Sequence, residues 1–188
     1  MSTLTVKELA APTGYDLKIA AGETLDLKSQ GTVTMPTGSV LQVVSATKTD
    51  AFDTTSNSFV DTGITATITP KFSNSKIYVT VQSSISNGEG IVGMVQLLRG
   101  STALSIGDSF SSATRCAVAS RGMHANETVP YTINYVDSPA TTSATTYKIQ
   151  VHTEVGDSMS VNHSHANYTG AANGYRTASN IILMEIAG

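Results

Sequence analysis

Apolar and polar residues alternate along most of this chain with a period of two, and this pattern limits the folds open to it. The alternation is strict over residues 76–84, 129–136 and 145–153. Alternate side chains of a strand point to opposite faces, so the pattern predicts half-buried β-strands and no convincing helix. The predicted strands are residues 40–47, 64–69, 76–84, 91–99, 103–106, 117–121, 129–136, 145–153, 159–162 and 179–186. Eight to ten such strands predict an all-β protein whose residues 39–188 form a jelly-roll-like β-sandwich head.

Two segments, residues 91–98 and 181–186, are apolar on both faces of the strands that they would form. One half-hydrated sheet cannot bury both faces of such a strand. We therefore expect one face to pack in the core and the other against a neighbouring copy, which predicts an assembly of several copies; the resemblance described below implies that it is a homotrimer. The candidate trimer-interface residues are Val92, Met94, Leu98, Ile182, Met184 and Ile186.

Residues 1–38 differ from the remainder because their alternating pieces are short and a Pro-Thr-Gly sequence occurs twice, from Pro12 and from Pro36. Such pieces are too short to close a core alone. They predict a β-rich N-terminal stem, or an arm that docks on another component and orders there; a flexible arm is the alternative. The candidate docking residues are Leu4, Val6, Leu9 and Tyr15.

Composition excludes several functional classes. Charged residues make up 13% of the 188 and the net charge is −3, without any run of Lys and Arg, so we expect no nucleic-acid partner. The N-terminus has neither a basic region nor an apolar core, which predicts no signal peptide and synthesis in the cytoplasm. No stretch approaches the length of a membrane span, so no membrane insertion is expected. The single cysteine, Cys116, is predicted to be a small buried side chain.

No motif predicts catalysis or a cofactor. Gly88, Gly90 and Gly93 match the dinucleotide-binding pattern by letter, but a strand rather than a helix follows them, so they predict a hairpin. Asp108, Asp137 and Asp157 stand in turn sequences, where a carboxylate ordinarily caps the turn. Glu185 is unusual within an apolar strand; Arg99, Lys148 or a subunit interface are its candidate partners. We expect no enzyme activity.

The segment 162–176 is the best candidate for contact with a receptor, because it combines Asn, His, Tyr and Gly in one long loop. Tyr and Asn side chains suit both sugars and protein epitopes. The candidate contact residues are His163, His165, Asn167, Tyr168, Asn173, Tyr175 and Arg176. His163 and His165 would share a face of an extended segment, which resembles the His-x-His of needle-like phage fibres and implies a metal site on a threefold axis. Two exposed, hydrogen-bonding histidines are the default, and we predict no metal.

Several stretches carry a resemblance to known families. Residues 76–81, 96–104, 147–151 and 155–157, followed by a terminal apolar strand, resemble the trimeric jelly-roll heads of the complement and tumour-necrosis-factor type. That resemblance implies an inner sheet buried against two other copies.

The sequences at residues 1–6, 11–16, 36–44 and 182–188 are similar to virion structural proteins of tailed phages, especially marine ones. This resemblance implies a virion protein of the tail-fibre or head-fibre type, with an arm that binds the capsid, portal or tail. Its head would contact a host-surface glycan or protein. A capsid decoration protein that clamps neighbouring shell subunits is the alternative.

Overall fold

The structure is a computed structural model and describes residues 13, 21–22, 35–122, 127–154, 156–164 and 174–188. The chain divides into two units, Met1–Thr34 and Met35–Gly188. The candidate docking residues Leu4, Val6, Leu9 and Tyr15 lie outside the described residues, so the N-terminal stem stays a prediction.

Eleven strands and no helix form within the described residues. They are β1 (Val40–Lys48), β2 (Phe52–Thr54), β3 (Val60–Ile68), β4 (Lys76–Asn87), β5 (Val92–Arg99), β6 (Thr102–Leu104), β7 (Val118–Arg121), β8 (Val129–Asp137), β9 (Thr145–Thr153), β10 (Met159–Val161) and β11 (Ser179–Ile186). The sequence predicted ten of these strands, two of them with the observed bounds. It missed β2, a strand of only three residues.

The strands form two antiparallel sheets, which we name after their central strands. In the β4 sheet the long strands follow the order β1, β11, β4, β8, and β10 and β2 extend the sheet beside the end of β4. In the β5 sheet the order is β3, β9, β5, and β6 and β7 both pair with the edge of β5 that lies opposite β9. When the seven long strands and β7 are numbered one to eight in chain order, the β4 sheet has the strand order 1–8–3–6 and the β5 sheet has the order 2–7–4–5. This is the strand order of a jelly roll, and the predicted all-β sandwich is confirmed.

The core lies between the two sheets, where the inward-facing apolar side chains of the β4 sheet meet those of the β5 sheet. It includes Val79 and Val81 of β4, Ile149 and Val151 of β9, and Leu183 of β11, none of which is exposed to solvent. Burying a large apolar side chain contributes roughly 1.5–3 kcal/mol to stability. The period of two in the sequence therefore corresponds to inward and outward positions of the same strands.

Strand direction gives the sandwich two distinct ends. β1 begins and β11 ends at one end, which we call the near end, because Val40 pairs with Ile186 there. The loops at residues 69–75 and 138–144 lie at the near end. At the opposite, far end lie residues 49–51, 55–59 and 88–91, together with the described residues 127–128, 162–164 and 174–178.

The glycine motif forms the β4–β5 connection at the far end, but the predicted hairpin is wrong, because β4 and β5 lie in different sheets and do not pair. Gly90 has a φ of +78°, a conformation that side chains other than glycine rarely adopt. A Cβ at Gly88 would lie 2.7 Å from an oxygen of Asp157, and one at Gly93 would lie 2.7 Å from Oδ1 of Asn87. Backbone geometry and close packing therefore explain these glycines without a bound nucleotide.

Candidate functional site

A row of four side chains crosses the outer face of the β4 sheet near its near end. Val43 pairs with Met184, Met184 with Tyr78 and Tyr78 with Val136, so the row runs over β1, β11, β4 and β8. We call these four residues the apolar row. Val43 is 56% exposed and Val136 is 54% exposed. The row therefore forms a continuous, partly exposed apolar surface across the near half of this sheet face.

The apolar row is extended at the near end and stops abruptly toward the far end. Val40 and Ile186 pair beside it, followed by Lys76 on the same face. In the other direction the next positions across the sheet are Ser45, Ile182, Thr80 and Asn134, and then Thr47, Asn180, Gln82 and Thr132. Apart from Ile182 these side chains are polar, so the exposed apolar surface is confined to the near half of the face.

The outer face of the β5 sheet carries several polar side chains that hydrogen-bond within the chain, beside the half-buried Val92 and Met94. Asp61 accepts hydrogen bonds from Lys148 and Gln150, which lower the pKa of its carboxyl group. Thr67 and Thr146 hydrogen-bond to each other at 2.7 Å. The two outer faces therefore differ, and it is the outer face of the β4 sheet that leaves its apolar side chains exposed to solvent.

The candidate trimer-interface residues are divided between these faces. Ile182, Met184 and Ile186 lie half-buried on the outer face of the β4 sheet, whereas Val92 and Met94 lie half-buried on that of the β5 sheet. Leu98 is only 6% exposed, so its own chain already covers it and it offers little surface to a neighbour. The sequence missed Val43, Tyr78 and Val136, since it does not show which strands are neighbours.

A second exposed apolar feature is Phe110, in the loop at residues 105–117. The loop leaves the β5 sheet where Leu104 pairs with Leu97 and returns where the amide of Ala117 donates to Val95. Its base is closed because Nε of Arg115 donates to the carbonyl of Gly107 at 2.6 Å. Phe110 is 78% exposed at a turn in this loop. The loop is thus closed at its base and exposes an aromatic ring at a turn.

At the far end His163 is buried, although the sequence predicted an exposed histidine. Its Nε2 lies 2.7 Å from Oδ1 of Asp53, and the hydroxyl of Ser160 donates to the same oxygen. The expectation of an exposed side chain is therefore wrong for His163, because β10 brings it beside β2. β2 is the strand that the sequence missed, so its partner could not be predicted.

The remaining candidates for receptor contact are only partly described. Tyr175 is 39% exposed and its hydroxyl accepts a hydrogen bond from Thr128, while Arg176 is exposed and its backbone pairs with that of His163. His165, Asn167, Tyr168 and Asn173 lie outside the described residues. The receptor-contact hypothesis stays a prediction.

Glu185 has neither of the partners that the sequence suggested. Burial raises its pKa, but hydrogen bonds from Gln42 and from the backbone amides of Lys71 and Phe72 outweigh this effect, so the pKa of Glu185 lies below its ordinary value. The carboxylate holds the loop at residues 69–75 against β11, at the near end. Glu185 therefore anchors this loop within its own chain.

Arg99 and Asp137 instead bind each other across the two sheets. Nη1 of Arg99 donates to both carboxylate oxygens of Asp137 at 2.7 Å. The hydroxyl of Tyr147 donates to Oδ2 at 2.6 Å, and burial together with this carboxylate raises the pKa of Tyr147. The prediction that Asp137 caps a turn is wrong, because the residue ends β8 and faces the core. Asp157 does cap a turn, since it accepts the amide of Ser158.

Reactive groups are sparse in the part of the chain that the structure describes. No three His, Cys, Asp or Glu side chains lie together there in a way that could hold a metal ion. The thiol of Cys116 is half-buried, and burial raises its pKa. Within the same residues no helix is long and apolar enough to cross a membrane.

Comparison with known proteins gives matches among solved structures. No family model matches the sequence, and no curated protein matches it significantly. A structure of infectious bursal disease virus, Gx strain, matches 88% of this chain at 16% identity with a TM-score of 0.44. The VP2 subviral particle of the same virus matches 88% at 15% identity with a TM-score of 0.43. The chain spans 42% of the length of each of these viral proteins.

Proposed function

We propose that this chain is a non-catalytic structural subunit of a virus particle, assembled as a homotrimer. The observation that carries the proposal is the apolar row on the outer face of the β4 sheet. Contiguous exposed apolar surface on a soluble domain ordinarily marks an interaction site. The proposed partner at the apolar row is a second copy of this chain, because a structural subunit is made in many copies and therefore encounters other copies of itself most often.

The jelly roll supports the particle assignment. Jelly rolls recur in viral capsid and lectin domains, whose shared property is a rigid sandwich with loops at its ends. A fold does not by itself imply a function. The more specific support comes from residues 1–6, 11–16 and 36–44, which are similar to tailed-phage virion proteins.

The finer proposal assigns a task to each end of the sandwich. Residue 35 and the C-terminal residue Gly188 both adjoin the near end, because Gly38 and Ala187 are joined there by a backbone hydrogen bond. In the proposal, residues 1–38 attach the subunit to the capsid, portal or tail. The loops of the far end, including Tyr175 and Arg176, then contact a glycan or protein of the host surface as a fibre or spike.

The experiment that tests the proposal is quantitative mass spectrometry of purified particles, with this chain counted against the major capsid protein. Copy numbers of tens or fewer, in multiples of three, would support a fibre or spike. Hundreds of copies would instead support the capsid decoration alternative. If purified particles lack the chain, the virion assignment is wrong.

A further inference from the structure

We propose that the loop at residues 105–117 of one copy docks on the outer face of the β4 sheet of a second copy. Phe110 would lie on the apolar row and Asp108 beside Lys76. This inference rests on the proposed homotrimer and identifies its contact surfaces.

The loop is suited to act as the inserting part. Phe110 is the most exposed large apolar side chain of the described residues, at 78%. The Arg115–Gly107 hydrogen bond closes the base of the loop, and the side chain of Gln96 donates to the carbonyl of Arg115 at 3.1 Å. Because the loop is already held in shape, less conformational entropy is lost when it binds.

The apolar row is suited to receive an aromatic ring. Met184 and Tyr78 form its half-buried middle, and the more exposed Val43 and Val136 flank them. Methionine side chains adapt to irregular partners and make favourable contacts with aromatic rings. Aromatic side chains that enter such apolar surfaces dominate the energetics of many protein interfaces.

Charge complementarity favours this pairing of surfaces. Asp108 lies two residues before Phe110, and Lys76 lies two residues before Tyr78 on the outer face of the sheet. Both side chains are exposed, and neither makes a hydrogen bond or an ion pair within the described part of the chain. Docking of Phe110 on the row would bring an acidic group and a basic group to the same boundary of the contact.

The contact joins two different surfaces, so it is heterologous. Phe110 belongs to a loop at the edge of the β5 sheet, whereas the row lies on the β4 sheet, and each copy therefore offers one of each. Contacts of this kind close into rings when the rotation between copies permits. A ring of three would use every loop and every row, with none left exposed.

The test uses the full chain and analytical ultracentrifugation over a range of micromolar concentrations. We expect a trimer for the natural chain, and a Kd roughly tenfold or more higher for Phe110→Ala. Asp108→Lys and Lys76→Asp should each weaken association by about two- to fivefold per contact, and the double exchange should restore it. Glu154→Lys, at an exposed far-end position, is the matched control and should leave association unchanged.

Crosslinking gives an independent readout. In a Cys116→Ser background, Asp108→Cys combined with Lys76→Cys should form disulfide-linked species up to three chains on non-reducing gels. Each single cysteine variant should not form the three-chain species.

The outcomes separate this inference from the proposed function. A natural trimer that neither Phe110→Ala nor the charge reversals weaken would overturn the docking inference while the trimer stands. A natural chain that sediments as a monomer at tens of micromolar would overturn both the inference and the trimer. Membership of the particle is measured separately by the copy number in purified virions.

Discussion

Buried polar side chains at the ends of the sandwich fix loops and join the two sheets. Glu185 holds the loop at residues 69–75 through Gln42 and two backbone amides, and Asp137 joins Arg99 to Tyr147. Buried charges of this kind persist only where hydrogen bonds replace the lost water. The sequence showed that Glu185 was unusual but could not show its partners, because they come from strands and loops far away in the chain.

The ionised form of Glu185 should stabilise the folded protein. Its pKa in the folded state lies below the ordinary value of 4.5, so its contribution is complete above that pH and is lost as the pH falls through the lower, folded value. We expect Glu185→Gln to lower the free energy of unfolding by about 1–3 kcal/mol at pH 7. Urea unfolding between pH 3 and 7 measures this, and the variant should lose less stability than the natural chain on acidification. An unchanged pH dependence would contradict the assignment; the exposed Glu154→Gln is the control.

The hydrogen bonds of Asp137 should be coupled. We expect Tyr147→Phe to cost about 0.5–1.5 kcal/mol and Asp137→Asn to cost more, because the second change also leaves Arg99 without its carboxylate. The double variant should cost less than the sum of the two, since Tyr147→Phe removes and Asp137→Asn weakens the same 2.6 Å hydrogen bond. Chemical denaturation of the four proteins measures the coupling energy, and strict additivity would argue against a shared network.

At the scale of the element, β11 shows how one strand takes part in two environments. Leu183 points into the core and Met184, the next residue, points to the outer face. The sequence predicted that both faces of this strand are buried in the assembled protein, and within the single chain only one of them is buried. The neighbouring strands β1, β4 and β8 complete the apolar row, and their order could not be obtained from alternation, which gives the facing of side chains but not the pairing of strands.

The two faces of β11 should respond differently to the same truncation. We expect Leu183→Ala to lower the free energy of unfolding by about 2–5 kcal/mol, because it leaves a cavity in the core. Met184→Ala should cost less than about 1 kcal/mol in unfolding and should instead weaken association. Denaturation and sedimentation of both variants compare the two effects. Equal losses of stability would show that Met184 is buried in the core rather than in an interface.

At the scale of the whole molecule, the sequence predicted the all-β class, ten of the eleven strands that the structure describes and the inward-facing residues of the core. These follow from local alternation, which depends on the hydrophobic effect at each position. The sequence did not predict the apolar row, the Asp53–His163 pair or the exposed Phe110, because each depends on where distant segments meet. The candidate site was therefore only partly accessible, through Met184 and its neighbours on β11.

Stability of the assembled protein should depend on its concentration. An oligomer is stabilised by mass action, so its Tm rises as the protein is concentrated. We expect the Tm of the natural chain to rise between about 1 and 100 µM, and that of Phe110→Ala to rise less and to start from a similar value at the lowest concentration. Differential scanning fluorimetry measures both series. A Tm independent of concentration in the natural chain would indicate a folded monomer.

The pairing of β1 with β11 also gives the sandwich a mechanical direction. β1 enters at the near end and lies beside β11 over eight paired residues. A pull between residue 35 and the far-end loops would load these pairs along the strands, so that all of them resist together in shear. A pull between residue 35 and Gly188 would act at one end of the same pairs and peel β1 away one hydrogen bond at a time. A subunit held by its N-terminal side and tugged at its far end is therefore stretched in its stronger direction.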